Sequence, residues 1–194
     1  MPTVIGIMGR KRAGKNEFAD ALGGTSGSAE GVHVFAFADA IREIMYAVDP
    51  IIGYEDGEFV RYATVVDELG YEAAKEYPEF RQFAQRLGTE GGRVVFGDSV
   101  WVDIVMNKVA ALPEDVLVLI PDVRFPNEYD AIKDSGGYVV RVDRPSLVED
   151  EHDAHASETE WLGLEPDTVV RNEGPLSDLR LKAHVLLEAV GFFD

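Results

Sequence analysis

Gly9, Gly14 and Lys15 stand at the spacing G-x-x-x-x-G-K, and Arg10, Lys11 and Arg12 lie between the glycines, followed by Ala13. This is the spacing of a phosphate-binding loop. Glycines at those places let successive backbone N–H groups turn inward around phosphate oxygens, a helix beginning at the far end presents its positive pole, and Lys15 adds a point charge. The position after the lysine usually carries a Ser or Thr hydroxyl that ligates Mg²⁺, and here it is Asn16. A carboxamide oxygen can serve instead, or Asp122 or Asp39 can hold the ion through water. With Glu17, the stretch Gly9 to Glu17 is the candidate cradle for nucleotide phosphates; the plainer alternative is a basic turn before a helix. Four cations in so short a stretch stand out because the chain has 18 basic against 36 acidic residues, a formal charge of −18.

A cradle of this kind needs a strand on one side and a helix on the other. Thr3 to Met8 reads as a buried strand and Asn16 to Leu22 as the helix after the loop. "VHVFAFAD" predicts a second strand ending at Asp39, followed by an amphipathic helix through Ile41, Ile44, Met45 and Val48. Tyr62 to Leu112 is mostly helical in pattern, with glycine interruptions at Gly88 to Gly92 and Gly97. "DVLVLIPDVRF" is the clearest buried strand; "YVVRVDR" and "DTVVRN" are shorter ones, and a last helix carries Leu176, Leu179, Ala183, Leu187 and Val190 on one face. "PSLVEDEHDAHASETEWLG" is too polar for core and too long for a turn, and reads as a lid. Continuous apolar strands alternating with helices predict a parallel sheet covered on both faces, whose ligands gather at the strands' carboxyl ends. Gly9 to Lys15, Asp39, Asp122 to Arg124 and Arg144 all fall at or just beyond such ends.

The blocks "GRKRAGKNEFADAL", "FAFADAIRE", "QRLGTEGGRVVFGDSVWVD", "PDVRFPNEYDAI", "GGYVVRVDRP", "HASET" and "VVRNEGPLSDL" occur in this order. Together they resemble the phage-type deoxynucleoside monophosphate kinases over nearly the whole chain. The resemblance implies an α/β P-loop NTPase fold, a three-layer sandwich on a central, mostly parallel five-stranded sheet. It further implies transfer of the γ-phosphoryl of ATP, with Mg²⁺, onto a deoxynucleoside 5′-monophosphate, in the host cytoplasm if the chain is phage-encoded. A homodimer is compatible with it. The expected organisation is one kinase domain with its core at about 1–50 and 114–194, a helical acceptor-binding region at about 51–113 and a lid at about 144–163.

Phosphoryl transfer asks for alignment of donor and acceptor and for cations around the equatorial oxygens. Lys15 is placed to hold the β- and γ-phosphates, and Arg144, opening the lid, to act as an internal arginine finger. Arg141, two residues earlier, reads equally as a structural ion-pair partner. In related kinases a carboxylate at the place of Asp39 lies near the acceptor phosphate or the Mg²⁺ water shell; the alternative is an N-cap of a helix starting at Ala40. Arg42 joins Asp39 on the acceptor side. Asp122 stands where a Walker-B acid would, a metal candidate with Asn16, and Arg124 reads as a ligand of the acceptor phosphate or a partner of an acid. Asn127 and Glu128 read as a helix start. In "RQFAQRLGTEGGR", Arg86 and Arg93 suit a monophosphate, Thr89 lies between them, and the Gln85 carboxamide can read a base edge. Gln85 and Arg93 read equally as surface helix residues. Trp101 can stack a base but is better read as core.

The resemblance places the adenine of ATP near Asn172 and Gly174; the alternative there is a glycine-containing turn that starts the last helix. His155, Ser157 and Glu158 match the family's H-x-S-E block, so His155 and Glu158 are read as touching nucleotide phosphates or ordering the lid. His152, Asp153 and His155 also invite a zinc reading, which lacks a further ligand set.

Composition excludes several classes. At 194 residues and 46% hydrophobic, the chain fits one domain with a sizeable core. Its acidity opposes general attraction to nucleic acid or anionic membranes. Without cysteine there are no disulfides or thiolate metal sites. No stretch reads as a signal peptide or a membrane span, so the expectation is a soluble cytoplasmic protein whose partner is a small-molecule nucleotide. Rival functions are another small-molecule kinase, resembling dephospho-coenzyme A kinase, and a non-catalytic nucleotide-binding module. "QRLGTEGGR" with "WVD" speaks against the first, and the arginine-bearing lid with a separate acceptor segment against the second.

Overall fold

A computed structural model describes residues 1–26, 31–147 and 160–192. The chain begins β1 (Thr3–Met8), α1 (Lys15–Thr25), β2 (Val32–Val34), α2 (Asp39–Val48), β3 (Ile51–Glu55), β4 (Glu58–Arg61), α3 (Tyr62–Leu69), α4 (Tyr71–Ala74) and α5 (Pro78–Arg86). A π-helical stretch (Leu87–Arg93) leads into α6 (Val94–Phe96) and α7 (Val100–Ala110). Then follow β5 (Leu117–Ile120), α8 (Pro126–Asp134), β6 (Tyr138–Asp143), a 3₁₀ turn (Glu160–Gly163), β7 (Thr168–Arg171) and α9 (Leu176–Ala189). They form two units, one of Met1–Phe37 with Val105–Asp194, the other Ala38–Ile104.

The first unit is built on a five-stranded sheet in the order β2-β5-β1-β6-β7, and every pairing is parallel. The physical cause is the absence of polar alternation: β5 is Leu-Val-Leu-Ile with all four residues buried, so both of its faces need cover. On one face Ile5, Ile7, Leu117, Leu119, Val140 and Val142 pack with Phe18 and Leu22 of α1 and Leu179, Ala183 and Leu187 of α9. Removing each of the Val, Leu, Ile and Phe side chains among them from water contributes about 1.5–3 kcal/mol. Helix α8 covers the other face, where Ile132 sits against Gly6 so closely that a Cβ there would collide with its Cδ1. The sheet is α/β and parallel throughout, as the apolar runs require.

Strand β2 is shorter than the pattern predicts. It pairs with β5 over Val32–Val34, and the Phe35 N–H still donates to the Leu119 carbonyl at 3.0 Å. The Phe37 N–H, however, donates to Asp122 Oδ1 at 3.0 Å. A side chain has replaced the ladder partner, so apolar residues 35–37 leave the strand while Ala36 and Phe37 remain buried.

The second unit has its own core of Met45, Ile52, Tyr62, Val65, Ala74 and Phe80, with the Tyr62 and Phe80 rings stacked at 5.5 Å. Its residues 51–61 form an antiparallel hairpin, β3 with β4, where the expectation for 51–113 was helical. The turn residues Asp56 and Gly57 have φ of 49° and 88°. Asp-Gly with positive φ at both central positions is the chemistry of a two-residue hairpin turn. The glycines at 88–92 do not interrupt the helix either: the backbone widens into a π-helical stretch and ends at Gly97.

Among the described residues no helix is long and apolar enough to cross a membrane. One polar contact ties the end of the sheet together. Asp167 accepts from Lys133 Nζ at 2.7 and 2.8 Å and from the Val139 N–H at 2.8 Å. Burial pushes its carboxyl up, but the Lys133 hydrogen bond, the Val139 N–H and the Lys133 charge outweigh that and hold it below the usual carboxylate range. A depressed folded value means the contribution is complete above the unfolded pKa of about 3.9 and is lost as pH falls through the folded one. Because both side chains are about one-third exposed, we expect only about 1 kcal/mol at neutral pH. Denaturant unfolding of Asp167→Asn against the parent should therefore show a gap that is constant above pH 5 and shrinks below pH 4; a gap still constant at pH 3 would count against this assignment.

Candidate functional site

Because the five strands are parallel, the segments leaving β1, β2, β5, β6 and β7 emerge on one edge of the sheet. That edge carries Gly9 to Lys15, Asp122, Arg124, Arg144 and Asn172. The loop after β1 is tightly wound. Gly9 lies so near β6 that a Cβ would strike the Val142 carbonyl, Arg12 has a φ of 63°, and Gly14 a φ of 98°. Ala13 is buried and its N–H donates to the Arg10 carbonyl at 3.1 Å. Arg10 and Arg12 are exposed, Lys11 is half-buried, and Asn16 and Glu17 are exposed in the first turn of α1. Lys15 Nζ donates to the carbonyls of Gly9 at 2.8 Å and Arg10 at 2.9 Å, so its ammonium is folded over the loop.

The loop after β5 is pinned by two carboxylates. Asp122 holds the Phe37 N–H, and Glu128, only 3% exposed, accepts the N–H groups of Arg124 at 2.7 Å and Phe125 at 3.1 Å. Glu128 works as the returning half of a helix cap at the start of α8; Phe125, with no side-chain acceptor, supplies no other half. Two charge-assisted bonds offset its burial and set the backbone direction at Arg124. Arg141 pairs with Asp143 at 3.2 Å, while Arg144 is exposed at the end of β6. The Asn172 N–H donates to the Asp143 carbonyl at 2.7 Å, and its side-chain Nδ2 donates to the Ala13 carbonyl at 2.9 Å. Gly174 is exposed two residues on, beside Asp178 at the start of α9.

In the other unit, Asp39 is not the N-cap of a helix starting at Ala40. Helix α2 already includes it, Ala38 is the cap, and Asp39 accepts from Arg42 one turn on at 2.9 Å. The same guanidinium lies 4.7 Å from the centre of the Tyr71 ring. Gln85, Arg86 and Thr89 are exposed and Arg93 half-buried, with Arg93 donating to the Asp98 carbonyl at 3.1 Å. Trp101 is 5% exposed; its indole N–H donates to the Gly88 carbonyl at 2.8 Å and its ring packs on Gly92. An open groove of about 580 Å³ is lined by Ile51, Glu79, Gln82, Phe83, Arg86 and Leu87, then Glu90 and Gly91. Arg86 belongs to it; Gln85 does not. The spacing Gln82, Arg86, Glu90 was the available signal, since residues four apart share a helix face.

His155 and Glu158, with His152, Asp153 and Ser157, lie outside the described residues. Of the segment read as a lid, the described ends are the turn in which the Leu147 N–H meets the Arg144 carbonyl at 3.0 Å and the 3₁₀ turn with a buried Trp161.

A family model described as deoxynucleotide monophosphate kinase matches residues 55–183, more than half of the chain. The chain belongs to the deoxynucleotide monophosphate kinase family. It is therefore a phosphotransferase of the nucleoside monophosphate kinase kind. The match runs from the end of β3 into α9 and includes Arg86, Arg93, Asp122, Arg124, Arg144 and Asn172, while the loop at 9–15 precedes it. Among curated proteins, the chain is 28% identical over 189 residues, 86% of each chain, to a protein of Acanthamoeba polyphaga mimivirus named "Putative deoxynucleotide monophosphate kinase". Among solved structures, a shikimate kinase from Aquifex aeolicus matches at 11% identity and a TM-score of 0.48, covering 97% of this chain and 98% of that one. A sugar kinase from Janibacter sp. matches at 16% identity and 0.44, covering 98% of each.

Proposed function

We propose that this family member transfers the γ-phosphoryl group of ATP to a deoxynucleoside 5′-monophosphate, giving a dNDP and ADP, as a step in precursor supply for phage DNA synthesis. The observation that carries the reading is the family match over 55–183, because that span contains both the strand-end residues around Asp122 and the arginines of the second unit. The wound loop at Gly9 to Lys15 supports ATP as the donor, since phosphates are bound by inward N–H groups at the start of a helix.

Lys15 binds the β- and γ-phosphates, exchanging its two loop carbonyls for phosphate oxygens. Arg144 stabilises charge on the transferring group, and Arg124, directed by Glu128, binds a substrate phosphate. In the second unit, Asp39 and Arg42 are assigned to the acceptor. Arg86 and Arg93 add cations for the monophosphate and Gln85 reads the base. Asn16 and Asp122 suit Mg²⁺: both offer hard oxygen donors, and the Phe37 N–H holds the Asp122 carboxylate at a strand end. Held there, Mg²⁺ would supply positive charge against the phosphate oxygens of the nucleotide.

The test is to mix the purified protein with ATP, Mg²⁺ and each 5′-monophosphate, deoxy and ribo, and to separate the nucleotides by chromatography. We expect ADP and a new diphosphate from at least one dNMP. ATP binding without product from any of them would overturn the reading.

A further inference from the structure

We propose that Asn172 is a positioning residue for the phosphate-binding loop, acting through the Ala13–Gly14 peptide. The inference rests on the reading of Gly9 to Lys15 as that loop. The Asn172 Nδ2 donates to the Ala13 carbonyl at 2.9 Å, across 159 positions of sequence. A trans peptide is planar, with its N–H directed opposite to its C=O. Holding the Ala13 carbonyl on the β7 side therefore turns the Gly14 N–H to the opposite side of that peptide. That N–H belongs to the start of α1, the region in which orphan donors and the helix dipole favour an anion.

Two further observations fit this role. Asn172 is itself held, because its backbone N–H donates to the Asp143 carbonyl at 2.7 Å. Its side chain thus hangs from the joined ends of β6 and β7 rather than from a free loop. In addition, the carboxamide occupies the space beside Gly14 that a Cβ would need, and Gly14 has a φ of 98°. The glycine and the asparagine are consequently a fitted pair: one leaves the room, the other fills it with a donor. An asparagine that only bordered an adenine ring would need neither the bond to Ala13 nor the fit to Gly14.

The two roles separate when the ligand is divided. Asn172→Ala removes the donor without adding charge, and binding of ATP, inorganic tripolyphosphate and adenosine can each be measured by competition against a fluorescent ATP analogue, with thermal melting as a control of folding. We expect ATP and tripolyphosphate to weaken by the same factor, about three- to tenfold, with adenosine unchanged. Asn172→Ser, whose hydroxyl is too short to reach Ala13, should do the same and serves if the alanine variant melts below the assay temperature. Loss of ATP and adenosine affinity with tripolyphosphate unaffected would assign Asn172 to the base and overturn the proposal, as would no change in any ligand. If the parent protein binds neither ATP nor tripolyphosphate, the phosphate-loop reading itself falls; parent binding with unchanged variants removes the positioning role alone.

Discussion

Arg144→Ala is expected to lower kcat by about 10³-fold or more while changing ATP affinity by less than about tenfold. The magnitude is that of an arginine finger, a cation that meets the transferring phosphoryl group only as its equatorial oxygens gain charge. Arg144 is suited to the part because it follows β6 immediately, on the sheet edge that also carries Gly9 to Lys15, and its side chain is exposed. Arg141, two residues earlier and also cationic, is engaged with Asp143 and makes a natural control. Steady-state kinetics with ATP varied at saturating acceptor, beside equilibrium ATP binding, gives the comparison. A variant that loses turnover and binding in equal measure would show Arg144 to be a ground-state contact.

Lys15→Met should abolish detectable transfer, a loss of at least about 10²–10³-fold, with little change in melting temperature. The methionine keeps the length of the side chain and removes the charge. Among what the fold loses are the hydrogen bonds from a half-buried ammonium to the Gly9 and Arg10 carbonyls, both within the loop itself. What the reaction loses is a fixed charge over the phosphates. ADP formation and a thermal melt on the same preparation are sufficient. Full activity in this variant would refute the assignment of the loop, and a collapsed melt would make Lys15 a structural clasp.

The sheet was legible in advance because its information is local. An unbroken run such as Leu117 to Ile120 has no polar face to turn toward water, so it must be buried on both sides, and parallel strands with helical crossovers are what that demands. The same holds for the start of α8, read at Asn127 and Glu128 and found at Pro126, and for Leu179, Ala183 and Leu187 on the buried face of α9, whereas Leu176, expected on that face, is exposed. The hairpin at 51–61 is equally local, with Asp56-Gly57 as its signal, where the expectation is helical. The alternative of Asp39 as a helix cap fails by one residue, since whether a carboxylate caps a helix or sits in its first turn depends on a backbone angle at Ala38 that composition does not reveal.

Long-range pairings were a different matter. Nothing near Asp122 in the chain announces that it will take the N–H of Phe37, 85 residues away, and shorten β2 by doing so. Nothing near Asn172 announces Ala13. Residue type and spacing are enough to specify a strand, a glycine-bounded loop and the helix after it, a parallel sheet and the edge to which its loops emerge, because those follow from backbone geometry and hydrophobic period within a few residues. Which side chain then holds each loop in place depends on donors and acceptors brought together by folding, and a hydrogen bond requires a partner within about 3 Å, a condition that only the packed chain can meet.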